Sequence, residues 1–115
     1  MSRTVHVSVV VPYFRDPAGL ARLYAALAQQ TVAPGEILVV DDGSPAEQAA
    51  ASVPYGELRG VRIVVQPNAG AATARNTGVA AAPAPVVAFV DSDCVPDADW
   101  LEQSIEVPLD DEEER

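Results

Sequence analysis

The chain contains no lysine. That absence removes several chemistries together. A phosphate loop needs its lysine, a Schiff-base site needs its amine, and a kinase-type site needs its ATP-pairing lysine. There is one cysteine, Cys94, so no internal disulfide can form. A cysteine-built zinc centre, which takes several thiolates, is excluded as well. Cys94 stands beside two carboxylates, a poor setting for a nucleophile, and is expected to be a small, semi-buried filler. No Gly-x-Gly occurs, so the dinucleotide-binding fingerprint is missing. The single histidine, His6, has no second histidine and no nearby serine or cysteine nucleophile to work with, and reads as structural.

Long apolar runs are also missing. No stretch approaches the roughly 20 apolar residues of a membrane-spanning helix, and Met1 to Val7 leads into a strand pattern rather than a secretory signal. A reduced, cytoplasmic setting is expected, at most peripheral to the inner membrane face. Basic charge is scarce where acid is dense. Residues 1–90 hold six acids and six arginines, whereas residues 91–115 hold eleven acids and one arginine and supply the whole net charge of −10. Such a surface repels nucleic acid.

What is present suffices for one domain. The chain has 115 residues, 49% of them apolar, enough to bury a core without disulfides or a structural metal. Residues 1–106 are expected to form that domain. Residues 107–115, ending Asp110-Asp111-Glu112-Glu113-Glu114-Arg115, are a like-charge run expected to be solvated and disordered.

Strand and helix signals alternate. Val5 to Val11 is a β-branched run stopped at Pro12. Asp16-Pro17 starts a helix whose apolar stripe is Leu20, Leu23, Tyr24 and Leu27, ending near Gln30-Thr31. Glu36 to Val40 is a second strand. Ser44-Pro45-Ala46-Glu47 is a capping-box pattern that predicts an Ala-rich helix to about Val53. Val61 to Val65 is a third strand, followed by a turn at 67–70 and a short helix from Ala71 to Ala82. Val86 to Val90 is a fourth, and a last helix starts near Trp100-Leu101, which are expected to anchor it to the sheet. This order predicts an α/β fold, an open, mostly parallel, doubly wound sheet with right-handed crossovers.

Ligands of such sheets sit at the carboxyl ends of the strands. Three strands end there in polar residues: Tyr13-Phe14-Arg15, Asp41-Asp42 and Asp91-Ser92-Asp93. Four carboxylates on one rim repel one another, and a cation or a hydrogen-bonding ligand is the natural resolution. Asp91 and Asp93, two apart at a strand exit, can reach one hard cation such as Mg²⁺ or Mn²⁺ that keeps positions open for diphosphate oxygens. The plain alternative is a turn and a helix cap, since Asp and Ser serve both. Asp41 and Asp42 can accept the N–H of a base or ribose hydroxyls, or simply belong to a capped turn. Arg75 lies about one turn into a helix of small residues, whose N-terminus favours anions, and can add a fixed charge for phosphate. Against that stands an ordinary surface arginine. Phe14, and less so Tyr13, can stack on a base, with core packing the alternative for both.

In order and spacing, these segments resemble the family 2 glycosyltransferases of GT-A fold. The residues carrying the resemblance are Val7-Ser8-Val9-Val10-Val11-Pro12, Leu38-Val39-Val40-Asp41-Asp42-Gly43-Ser44, Asn68-Ala69-Gly70 with Ala74-Arg75-Asn76, Phe89-Val90-Asp91-Ser92-Asp93, and Pro96-Asp97 with Trp100-Leu101. They span roughly residues 5–103. The resemblance implies transfer of a sugar from a UDP- or GDP-type donor to an acceptor hydroxyl. It places Pro12 and Phe14 at the base, Asp42, with Asp41, as the base-binding carboxylate, and Arg75 near base and phosphates. Asp91 and Asp93 fall at the metal and diphosphate motif, Asp93 as direct ligand.

Two departures stand out. Arg15 occupies a position where Asn is common. The family's acceptor-binding half and its catalytic carboxylate follow the metal motif by a long stretch, and no residue here matches that general base. A fragment holding only the donor and metal site is therefore expected, prone to self-association through uncovered apolar surface. A complete non-catalytic sugar-nucleotide-binding module is the alternative. A receiver-like signalling domain would share the acidic rim but needs the lysine this chain lacks. A generic α/β domain with every Asp serving as a cap is the fourth reading.

Overall fold

The computed structural model describes residues 3–105. Its centre is a four-stranded, all-parallel sheet in the order β3-β2-β1-β4. The strands are β1 (Thr4–Tyr13), β2 (Ala33–Asp41), β3 (Val61–Val65) and β4 (Val86–Phe89). Helix α1 (Pro17–Ala28) joins β1 to β2, and α2 (Ala71–Ala81) joins β3 to β4. Residues 100–105 are helical. The predicted acidic tail, 107–115, lies outside the described residues.

Strand alternation sorts the side chains into two layers. Val7, Val9, Val11, Ile37 and Val39 pack with Leu20, Leu23, Leu27 and Leu101 on one face, joined by half-buried Trp100. Val10, Leu38 and Val40 pack with Ala74 of α2 on the other. Both faces are covered, which is why Val9–Val11 and Ile37–Val40 read as unbroken apolar runs rather than alternating ones. The doubly wound α/β arrangement is the one expected, and the stripe of α1 and the anchoring role of Trp100 and Leu101 are as the sequence suggested. Asp16 caps α1, its Oδ1 accepting from the Gly19 N–H at 3.1 Å.

β1 runs through Pro12 instead of stopping before it. The Val90 N–H donates to the Val10 carbonyl on the β4 side. Strand alternation turns the Pro12 nitrogen to that same side, past the last residue of β4, so its missing N–H leaves no neighbour unpaired.

The helix expected over 44–53 does not form. Two short 3₁₀ turns, Ala46–Gln48 and Ala50–Ser52, take its place, and Ser44 caps neither. Tertiary partners claim the backbone groups a continuous helix would use. The Tyr13 hydroxyl donates to the Gln48 carbonyl at 2.7 Å, and the Ala50 N–H donates to Asp41 Oδ2 at 2.8 Å. With Ala50 and Val53 its buried apolar residues, the segment has no stripe with which to compete.

His6 is exposed on β1, far along the strand from the rim, and Cys94 is exposed rather than semi-buried. Among the described residues no helix is long and apolar enough to cross a membrane.

The approach of α2 to the sheet depends on Gly78. A Cβ there would lie 2.4 Å from Cγ1 of Val10, a stiff, fully buried side chain. Gly78→Ala is therefore expected to lower the melting temperature by several degrees, although alanine is the better helix former by about 1 kcal/mol. Thermal unfolding followed by circular dichroism checks this; a raised melting temperature would show that α2 can move off β1 freely.

Candidate functional site

In a sheet ordered β3-β2-β1-β4 the chain steps outward from β1 to β2 and β3 and then crosses back through α2 to β4 on the other side of β1. The strand order therefore reverses between β1 and β4, and the crevice beyond the carboxyl ends of the strands opens there. A cavity of about 350 Å³ occupies it. Its walls are Pro12 and Tyr13 at the end of β1, Phe14 and Asp16 after it, Asp42 after β2, Ala71, Ala74 and Arg75 of α2, and Asp91, Ser92 and Asp93 after β4. A larger, open cleft of about 940 Å³ shares Arg75 and Asp91 and runs along the outer side of β4 past Phe89 and Val95 to Trp100. The smaller cavity is the better candidate site, because the exits of three strands converge on it.

The sheet brings together Pro12, Phe14, Asp42, Arg75, Asp91 and Asp93, six of the seven residues singled out from the sequence. Asp41 is the exception. It is 2% exposed, and its two oxygens accept from the Ser44 and Ala50 N–H groups at 3.0 and 2.8 Å. Its carboxylate shapes the loop after β2 and does not face the cavity. The contact with a base or ribose suggested for it gives way to a structural role, because local N–H donors have already claimed both oxygens.

Asp42 is also buried, at 5% exposure. Its Oδ1 accepts from Gln66 Nε2 at 2.9 Å and the Ala69 N–H at 2.7 Å. Its Oδ2 accepts from Asn68 Nδ2 at 3.1 Å and the Gly70 N–H at 3.0 Å. The Gln66 amide and the two backbone N–H groups hold its pKa below the usual carboxylate value, against the opposing pull of burial. The carboxylate thus ties the exit of β2 to the whole β3–α2 loop. Gly43 makes the close approach possible: its φ is +79°, and a Cβ there would sit 2.8 Å from the Asn68 nitrogen.

The other pair is exposed. Asp91, Asp93 and Cys94 each offer a ligand atom, all within 4.8 Å of one another. Two carboxylate oxygens at that spacing suit a hard divalent cation after small rotamer changes, while the thiolate is the softer, less suited donor. Asp91 Oδ1 also lies 3.6 Å from Arg75 Nη2, a solvent-exposed pair of little strength. Phe14 is 43% exposed, so core packing does not describe it. Tyr13 does belong to the core, at 2% exposure, and burial pushes its pKa up.

Residues not singled out as site residues hold this geometry. Gln66 bridges Asp42 to Thr77, accepting from the Thr77 hydroxyl at 2.6 Å. Gln30, 5% exposed, reaches the segment after the acidic motif: its Nε2 donates to the Asp97 carbonyl at 2.8 Å, and its Oε1 accepts from the Leu101 N–H at 3.0 Å. A glutamine closing an amphipathic helix was the available signal, but its partners lie 67 and 71 residues away.

A model of the family described as Glycosyl transferase family 2 matches residues 8–113. The succinoglycan biosynthesis protein ExoW of Rhizobium meliloti (strain 1021) is 39% identical over 100 residues, which make up 83% of this chain and 31% of that protein. The pre-mycofactocin glycosyltransferase of Mycobacterium tuberculosis (strain ATCC 25618 / H37Rv) is 38% identical over 97 residues, 84% of this chain and 19% of that one. Among solved structures, S. aureus TarS 1-349 in complex with UDP-GlcNAc superimposes with a TM-score of 0.76 at 25% identity, covering 91% of this chain and 30% of that chain. This chain spans about a fifth to a third of the length of these proteins.

The Asp42 clamp has a pH signature. A carboxylate whose folded pKa is depressed stabilises the fold above the unfolded value of about 4 and loses that contribution as pH falls through the folded value. Asp42→Asn places an amide N–H₂ against N–H donors and removes the charge. It is expected to lower the melting temperature at pH 7 by more than about 8 °C and to flatten the fall in stability below pH 4. Thermal melts of both proteins between pH 2.5 and 7 check this; parallel curves would show that Asp42 carries none of the acid sensitivity.

Proposed function

The chain belongs to glycosyl transferase family 2, and on that premise we propose that it holds the nucleoside-diphosphate sugar of a glycosyltransferase reaction, with a UDP- or GDP-type donor. The transfer itself breaks the bond between the sugar carbon and the diphosphate oxygen and forms one to an acceptor hydroxyl oxygen, whose proton passes to a base. The observation that carries the reading is the convergence of an exposed aromatic, a cation and two exposed carboxylates on one cavity at the sheet's switch point.

Each wall has a task in this reading. Phe14 and Pro12 form the apolar side against which the base lies. Arg75, within the first turns of α2, meets the phosphates with a guanidinium suited to bidentate contact. The small residues Ala71 and Ala74 beside it let the diphosphate come close to the helix. Asp91 and Asp93 would hold Mn²⁺ or Mg²⁺, which when bound offsets the charge gathering on the departing diphosphate. Asp42 contributes by fixing the loop from which α2 starts. None of the cavity's carboxylates is assigned as the base: Asp16 caps α1, Asp42 is saturated with donors, and Asp91 and Asp93 would hold the cation. That TarS has been crystallised with UDP-GlcNAc and with UDP supports a donor of this type.

A ligand that binds the folded state alone raises stability by mass action, by about 2.7 kcal/mol at a hundred times its dissociation constant. UDP or GDP with Mn²⁺ or Mg²⁺ is expected to raise the melting temperature of the 115-residue chain by several degrees, with a smaller rise when EDTA replaces the metal. Asp93→Asn is expected to leave the unliganded melting temperature within about 2 °C and to remove the metal dependence. Absence of stabilisation by either nucleotide in the presence of metal would refute the donor site. Metal dependence that survives in Asp93→Asn would refute the role of Asp93 alone.

A further inference from the structure

Among the described residues, Arg15 is the one residue other than glycine with a positive φ, +55°. That region is crowded for any side chain with a Cβ, and glycine or asparagine enters it more readily. The backbone gains nothing specific to arginine there. The Arg15 N–H donates to Ser44 Oγ at 2.9 Å, a bond that any residue but proline could make. The reason for arginine must lie in the side chain.

That side chain forms no ion pair among the described residues. Its guanidinium carbon lies 5.1 Å from the centroid of the Phe14 ring, within cation–π range. Phe14 lines the cavity and Arg15 does not. A planar cation thus lies over the ring of an exposed aromatic that lines the cavity, and is itself not part of the cavity wall. We propose that Arg15 is a positioning residue for base recognition: it pins the Phe14 ring from behind so that the free face is presented to the base of the donor. Arg15 touches neither donor nor metal, and it acts by removing the rotamer freedom that an exposed phenylalanine would otherwise lose on binding. This inference rests on the donor reading above and extends it to a residue that the donor does not reach.

The test separates base recognition from phosphate charge and from folding. Titration calorimetry of the 115-residue chain in Mn²⁺ compares UDP with pyrophosphate, for wild type, Arg15→Asn, Arg15→Lys, Phe14→Ala and the Arg15→Asn/Phe14→Ala double variant. Arg15→Asn is expected to keep or raise the melting temperature, because the strained backbone relaxes. It should weaken UDP by about three- to fivefold, the size of one exposed cation–π contact, and leave pyrophosphate within about twofold. Arg15→Lys, which keeps a cation over the ring, should recover most of the UDP affinity. On the Phe14→Ala background, Arg15→Asn should change nothing further. Unchanged UDP affinity in Arg15→Asn overturns the inference. An equal loss of pyrophosphate also overturns it and makes Arg15 a phosphate-attracting charge. A fall in melting temperature alongside the loss overturns it in favour of a purely structural role. Wild type that binds pyrophosphate but not UDP overturns the inference and the base-binding part of the donor reading together.

Discussion

The Asp42 carboxylate and the four N–H donors that converge on it fix the shape of the rim. They join three pieces of chain that adjacent sheet pairing alone would leave free: the exit of β2, the exit of β3 through Gln66, and the start of α2 through Ala69 and Gly70. The position of Arg75 follows from that start, because it is about one turn further along the same helix. The small residues of α2 then let it settle on β1 and β2, with Gly78 against Val10. A negative charge at a helix N-terminus is favourable in itself, and here it also ties that end of the helix to the sheet.

The four carboxylates of the rim pose one electrostatic problem that is solved in two ways. Asp41 and Asp42 are buried, with their oxygens already hydrogen-bonded by the protein's own N–H groups, which need no rearrangement when a ligand arrives. Asp91 and Asp93 remain exposed, 3.6 Å from a single arginine in the case of Asp91, and are the pair still available to a cation. The division has a functional logic. Under the donor-binding reading proposed above, a site that binds a charged donor and releases a charged product would benefit from a fixed frame and an uncommitted pair of ligands, rather than four equivalent acids competing for one ion.

The order of elements was legible from periodicity, and the strand exits pointed to the rim where the smaller cavity lies because the carboxyl-end rule needs only the chain direction. Six of seven candidate site residues do meet at one cavity. The misreadings share a cause. The capping-box pattern at Ser44 predicted a helix, but the hydroxyl of Tyr13 and the carboxylate of Asp41 took the backbone groups that helix required. Asp41 looked available because its competitors, the Ser44 and Ala50 N–H groups, come from a loop whose path no local pattern specifies. Phe14 and Tyr13 are adjacent and both line the cavity, yet Phe14 is exposed while Tyr13 is packed into the core, a choice made by where β1 ends.

Sequence alone determined that this chain makes a parallel α/β sheet covered on both faces and that its acids gather at the strand exits. Those properties follow from residue periodicity and chain direction, both of which are local. Tertiary structure alone decided which carboxylates are spent on the frame and which are left for a ligand. It also decided that Gln30 secures the segment beyond the acidic motif, and that the strained backbone of Arg15 sets a cation against Phe14. Each of these depends on donors brought from distant segments or on the side of a ring left open, and neither is fixed until the layers pack.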